Sequence, residues 1–173
     1  HTAPNDEVAL RPLAEHLTAA AELTAARRGI RIALDIHPDL PALIANSDEI
    51  SQVLQNLLEN AIKYGRDQSV VTIRAEIAKD LPASVSLQAE NRVAIQVSDQ
   101  GEGIPREHIP RLTERFYRVD TARSREMGGT GLGLAIVKHI ISRHRGALTI
   151  DSKVGEGSTF TAYIPCKASA VTK

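Results

Sequence analysis

The chain has 173 residues, enough for one domain with a proper core, and its 42% hydrophobic and 24% charged content is that of a soluble globular protein. Lys plus Arg and Asp plus Glu balance at 21 each, so no net field favours nucleic acid or an acidic lipid surface, and any phosphate affinity must be local. The single cysteine, Cys166, excludes an internal disulfide and a cysteine-based zinc site, and no stretch reads as a secretion signal or a bilayer span, so the expected compartment is reducing and cytoplasmic.

The opening "HTAPND" lacks a Met and reads like a fragment boundary. From Val8 to Arg28, Leu10, Leu13, Ala14, Leu17 and Ala21 recur at helical spacing, with Arg27 and Arg28 in the last turn and Gly29 as the stop. Ile30, Ile32, Leu34 and Ile36 alternate as a strand until "HPDLP" breaks it. Ile50, Val53, Leu54, Leu57, Leu58, Ala61 and Ile62 then form an i, i+3, i+4 stripe behind the acidic start Asp48 and Glu49, which predicts a helix from Asp48 to Tyr64.

Val71, Ile73 and Ala75 alternate, as do Val93, Ile95 and Val97, giving two strands joined through "KDLPAS". An irregular stretch from Gln100 to Thr130 follows. A helix is predicted from about Leu132 to Arg145, with Gly146 as its C-terminal glycine. "ALTIDS" and "STFTAYIP" predict a hairpin around "KVGEG", and the tail after Pro165 is expected to be disordered. This order of elements predicts an α+β fold, a two-layer α/β sandwich in which a mixed sheet carries helices on one face.

Four stretches carry chemistry. In "NLLENAIKY", Asn56, Asn60, Lys63 and Tyr64 fall on adjoining angles at the border of the apolar stripe. A solvated helix face accounts for Lys63 by itself, but paired carboxamides in mid-helix ask for a reason. Their oxygens suit a hard cation such as Mg²⁺, and a nearby Lys suits phosphate. In "AIQVSDQGEGIP", Asp99 continues the inward register of Val93, Ile95 and Val97, and a buried carboxylate needs hydrogen-bond donors. An exocyclic amine on a ligand base is one donor, with Gly101 and Gly103 letting the backbone approach a flat ring; a turn capped by Asp99 is the other reading.

The third stretch, "ERFYRVDTARSRE", offers Phe116 and Tyr117 as a small apolar anchor and Arg115, Arg118, Arg123 and Arg125 as either solvated charges or a phosphate-gripping lid. The fourth, "GGTGLGLAIVKHI", packs four glycines between Gly128 and Gly133 before an apolar helix. It fits neither the Walker nor the Rossmann spacing. Thr130 and the free amides of the helix start make either an anion site or a plain helix entry.

Together, in this order, these stretches resemble the N, G1, F and G2 boxes of the ATP-binding catalytic domain of sensor histidine kinases, in the superfamily shared with gyrase, the ninety-class heat-shock chaperone and MutL. The stretch 108–146 is similar to alphaproteobacterial phosphate-sensing kinases and to DivL-type relatives, in which tyrosine replaces the acceptor histidine. The resemblance spans about Val8 to Pro165 and implies a Bergerat-type ATP-binding fold with ATP and Mg²⁺ as cofactors. It implies residues 1–7 as a linker from a dimerisation domain, 8–166 as the catalytic domain and 167–173 as a tail.

Residue by residue, the resemblance implies that Asn60 coordinates Mg²⁺, Lys63 contacts the phosphates, and Tyr64 lines the pocket. Asp99 receives the adenine amino group, with Gly101, Gly103 and Ile104 shaping the adenine pocket. Tyr117 and Arg118 belong to the lid, Arg118 reaching the transferring phosphate, and Gly129, Thr130, Gly131, Leu132 and Gly133 cradle the phosphate chain. Asn56, Lys63 and Arg118 are the catalytic candidates. Asn56 stands one helical turn before the metal ligand, where ATPase relatives carry a water-activating Glu, and a carboxamide is no base at neutral pH. Glu59 is about 100° out of register for that role.

None of His1, His16, His37, His108, His139 or His144 lies in the family's phosphoacceptor motif, and each is expected to be a surface or capping histidine. The implied reaction is therefore transfer of the ATP γ-phosphoryl group to a histidine on a separate dimerisation domain, with a response regulator downstream. The fragment is expected to be a monomer and the full-length protein a homodimer, its parent anchored in the inner membrane. The alternative is a degenerate nucleotide-binding scaffold that regulates a partner kinase.

Overall fold

A computed structural model describes residues 3–79, 81, 91–117 and 133–168. Its centre is a five-stranded mixed sheet in the order β2-β4-β5-β7-β6, built from β2 (Arg31–Ile36), β4 (Val70–Ile77), β5 (Arg92–Asp99), β6 (Ala147–Lys153) and β7 (Gly157–Pro165). β2 runs parallel to β4 and the other pairings are antiparallel. Ile73, Ala75, Val93, Ile95, Val97, Phe160, Ala162 and Ile164 are buried on one face, while Arg74 and Glu76 on the other are exposed. The period of two thus commits one face to the core.

Helices α1 (Leu10–Ala26), α2 (Ser47–Tyr64) and α3 (Gly133–Arg143) form the second layer. This is the α/β sandwich expected from the pattern of elements. The α2 stripe is buried throughout, from Ile50 to Ile62. Its start is sharper than the acidic residues imply, because the Asn46 side chain accepts the Glu49 amide at 2.9 Å and caps the first turn. Among the described residues no helix is long and apolar enough to cross a membrane.

Several details differ from the sequence reading. Asp6–Val8 is a strand, β1, ahead of the first predicted helix; it pairs with β3 (Leu43–Ala45) just after the strand-breaking "HPDLP". The irregular stretch contains a 3-10 helix, Arg106–Arg111. The chain beyond Pro165 is still held at Cys166, which bridges to Leu43, and at Lys167, whose amide donates to the Ala42 carbonyl at 3.0 Å. At the end of α3 the left-handed residue is Arg145 (φ 57°), not Gly146. Gly146 follows it, donating its amide to the Ile141 carbonyl at 2.9 Å.

α2 and α3 lie side by side in opposite directions. Arg143 grips Glu49 with two nitrogens at 3.0 and 3.2 Å, and the buried His144 ring spans the same end. Its Nδ1–H donates to the Ile140 carbonyl at 2.8 Å, while Nε2 accepts the Asn46 amide at 3.0 Å. His144 is therefore a buried, hydrogen-bonded packing group rather than a surface histidine.

The far end of α2 is closed by Arg28. Its guanidinium donates to the carbonyls of Ile62, Lys63 (3.1 Å) and Gly65 (2.6 Å) and to Asp67 at 2.8 Å. These are the carbonyls a helix end leaves without partners. Arg28→Ala is expected to lower unfolding free energy by about 2 kcal/mol, the worth of charge-assisted bonds less their hydration. A shifted urea midpoint at unchanged slope is the readout.

Candidate functional site

The second half of α2 extends past the start of α3. Asn56, Asn60, Lys63 and Tyr64 are each half-buried there, beside the buried stripe, as their angles on the helix predict. The Asn56 amide nitrogen donates to the Gly133 carbonyl at 3.3 Å, fixing the first residue of α3 against mid-α2. Because the two helices run in opposite directions, the N-terminal, electropositive end of α3 points along α2 towards Asn60. The Lys63 ammonium stands 5.2 Å from the Tyr64 ring centroid.

Asp99 lies by the C-terminal end of α2. It is the last residue of β5, and with 8% of its surface exposed it is a buried carboxyl. The Gly101 amide donates to its Oδ1 at 2.8 Å, and the Ser158 amide gives a second backbone bond. Burial pushes the carboxyl above its ordinary 3.8, against the pull of those two donors. The turn reading and the ligand reading thus share this residue: one oxygen caps the turn, and lone pairs are left over for another donor.

Asp99 and α2 meet at a backbone bridge between Gly65 and Gly101. A Cβ on Gly101 would fall within 3.0 Å of both the Tyr64 carbonyl oxygen and Asp99 Oδ1, so only glycine lets the loop lie this close to the helix end. Gly103 takes a left-handed φ of 79° and lies against the Lys153 backbone. Ile104 is half-buried against the core, and its amide donates to Ser152 Oγ at 2.7 Å.

The "RFY" stretch is only partly the anchor expected. Tyr117 packs against the core, meets His108 through its hydroxyl, and lies under the Arg111 guanidinium at 4.4 Å. Phe116 has 63% of its surface exposed at a left-handed φ of 68°. Arg118, Gly129, Thr130, Gly131 and Leu132 lie outside the described residues. Sequence reasoning does not single out Ser152 or Ser158 and reads Arg28 only as a last-turn charge; each acts through a strand register or a tertiary contact.

Residues 45–168 match the family described as histidine kinase-, DNA gyrase B- and HSP90-like ATPase. The chain is 41% identical over 159 residues to the phosphate regulon sensor protein PhoR of Pseudomonas aeruginosa, covering 92% of this chain and 33% of that one. It is 40% identical over 122 residues to the sensor histidine kinase WalK of Bacillus subtilis, covering 70% of this chain and 18% of the relative. The chain therefore spans a third or less of the curated relatives it matches.

Among solved structures it is similar to full-length ShkA in complex with AMPPNP (TM-score 0.78, 26% identity, 98% of this chain and 33% of that one). It is also similar to the mycobacterial sensor histidine kinase MprB (TM-score 0.72, 26% identity, 94% of this chain and 98% of that one). The chain belongs to the histidine kinase-, DNA gyrase B- and HSP90-like ATPase family, and these relatives and neighbours put it on the histidine kinase side of that family.

Proposed function

We propose that this domain binds ATP in the cleft between α2 and the 99–104 loop and delivers the γ-phosphoryl group to a histidine on a separate dimerisation domain. What supports this reading is the Gly65–Gly101 bridge, which joins the loop after the buried Asp99 to the end of α2, while Asn56 holds the start of α3 against the same helix. Asp99 receives the adenine amine, and Tyr64, Gly101, Gly103 and Ile104 border the ring. Lys63 meets the phosphates and Gly129 to Gly133 cradle them on backbone amides. Tyr117 and Arg118 belong to the lid, Arg118 reaching the transferred phosphate.

Among the described residues no cluster of three His, Cys, Asp or Glu side chains could hold a metal ion. The Asn60 carboxamide oxygen, half-buried on α2, is a hard donor and would be the protein ligand of a bound Mg²⁺. The ion, when bound, neutralises phosphate charge. The chain's own contribution is alignment, since an imidazole nitrogen of the acceptor forms the new P–N bond as the bond to ADP breaks. Asn56 spends its amide on Gly133 and has no basic group to activate water, so hydrolysis is slow.

The kinase names of PhoR and WalK support this reading over the regulatory scaffold. A response regulator as the next acceptor, a homodimeric parent and its membrane anchoring belong to the same proposal. Incubated with γ-labelled ATP and Mg²⁺, the chain is expected to stay unlabelled and to label a phosphoacceptor domain supplied in trans, giving an acid-labile phosphohistidine. Chelating the metal should weaken ATP binding measured by titration. Labelling of the chain itself, or no ATP binding, would overturn the reading.

A further inference from the structure

At the end of the sheet nearest Asp99, three strands carry polar residues in register. Asp99 pairs with Ser158, and Ser158 with Ser152, two residues beyond the apolar row of Val97, Phe160 and Ile150 and so on the same face. Paired residues of antiparallel strands project to the same side, so all three side chains stand on the core face. A polar row there needs internal partners.

Ser152 supplies them. Its Oγ accepts the Ile104 amide at 2.7 Å, lies 2.8 Å from Ser158 Oγ, and donates to the Gly157 carbonyl at 3.1 Å. A hydroxyl has one proton and two lone pairs. With its proton on Gly157, Ser152 accepts from both Ile104 and the Ser158 hydroxyl, and its bonding capacity is filled. Through Ser158, whose amide serves the Asp99 carboxyl, the row links both ends of the 99–104 loop. The loop is held again where Gly155 donates to the Glu102 carbonyl at 2.7 Å and Arg66, just past α2, donates to the Gly155 carbonyl at 2.6 Å.

We propose that Ser152, on the edge strand β6, is a positioning residue for purine recognition: by anchoring the Ile104 amide it holds the Gly101–Ile104 backbone in the conformation that leaves Asp99 open to adenine. This rests on the nucleotide reading above. Only the purine end of the ligand is affected, because the Ser152 hydrogen bonds among the described residues reach neither α2 nor α3.

The test is Ser152→Ala and the similarly sized Ser152→Cys, with Ser152→Thr restoring the hydroxyl. Titrations use ATP and, separately, inorganic tripolyphosphate, and amide exchange at Ile104 is followed without nucleotide. The Ala and Cys variants are expected to bind ATP about tenfold more weakly, the worth of one well-placed hydrogen bond. Tripolyphosphate affinity should not change, Ile104 should exchange faster, and Thr should recover both readouts. Unaltered ATP affinity in Ala and Cys, or an equal loss for tripolyphosphate, overturns the role of Ser152. If the unsubstituted chain binds no ATP, the nucleotide reading falls and this inference with it; faster exchange at Ile104 would then report the local contact alone.

Discussion

Asp99→Asn is expected to weaken ATP binding by about two orders of magnitude and to erase the preference for ATP over GTP, since a site built around a buried acceptor discriminates strongly by hydrogen bonding. The carboxylate only accepts, and it already takes amides from Gly101 and Ser158. An asparagine must turn its NH₂ towards either a backbone N–H or the adenine amine, setting donor against donor. Stability should change little, because the lost backbone bond is offset by removing a buried charge. Competition titrations of ATP and GTP with the folded variant are the measurement, and an unchanged preference would remove Asp99 from the pocket.

The same residue carries a pH signature. Burial raises its folded pKa above the ordinary 3.8, so the folded chain holds this proton more tightly than the unfolded one. Its contribution to stability is full below 3.8 and is lost as pH rises through the raised folded value. Recognition runs the other way, because the ionised form is the pure acceptor. The ratio of wild-type to Asp99→Asn affinity for ATP should therefore fall as pH is lowered through that value, while the stability difference moves in favour of wild type. Taking the ratio cancels protonation of the nucleotide itself.

What could be read from the sequence follows the length of each periodic signal. The seven apolar residues of α2 and the alternation of β4 and β5 pin down these three elements, and the register of β5 predicts that Asp99 is buried. β1 and β3 have three residues each, too few for a period to show, and the 3-10 helix holds Pro110 inside it. The Asn46 cap was legible as Asn three residues before Glu49, yet the acidic pair drew attention one step too late. Arg28, Ser152 and Ser158 act across 34 or more residues of chain or across strand pairings that no local pattern encodes. Only the family resemblance implies that Asp99 lies close to α2; the physical cause is the bridge at Gly101, which no local pattern encodes.

Gly101→Ala and Gly133→Ala separate the two jobs that glycine does here. At Gly101 a methyl group meets the Tyr64 carbonyl and the Asp99 carboxylate at less than 3.0 Å, and neither is the far end of a flexible chain. The bridge to Gly65 must open, and overpacking of this kind costs about 3 kcal/mol. Both the melting temperature and ATP binding should collapse together. At Gly133 a methyl group meets nothing closer than Asn56 Cγ at 3.9 Å, an ordinary contact at the first residue of a helix. Alanine there should leave the chain as stable or raise stability by about 0.5 kcal/mol through helix propensity. If backbone at the start of α3 comes close to phosphate, the same methyl still lowers ATP affinity. A Gly133→Ala chain that is stable and binds ATP at full strength would take that residue out of the cradle, whereas loss of binding without loss of stability would tie it to the ligand rather than to the fold.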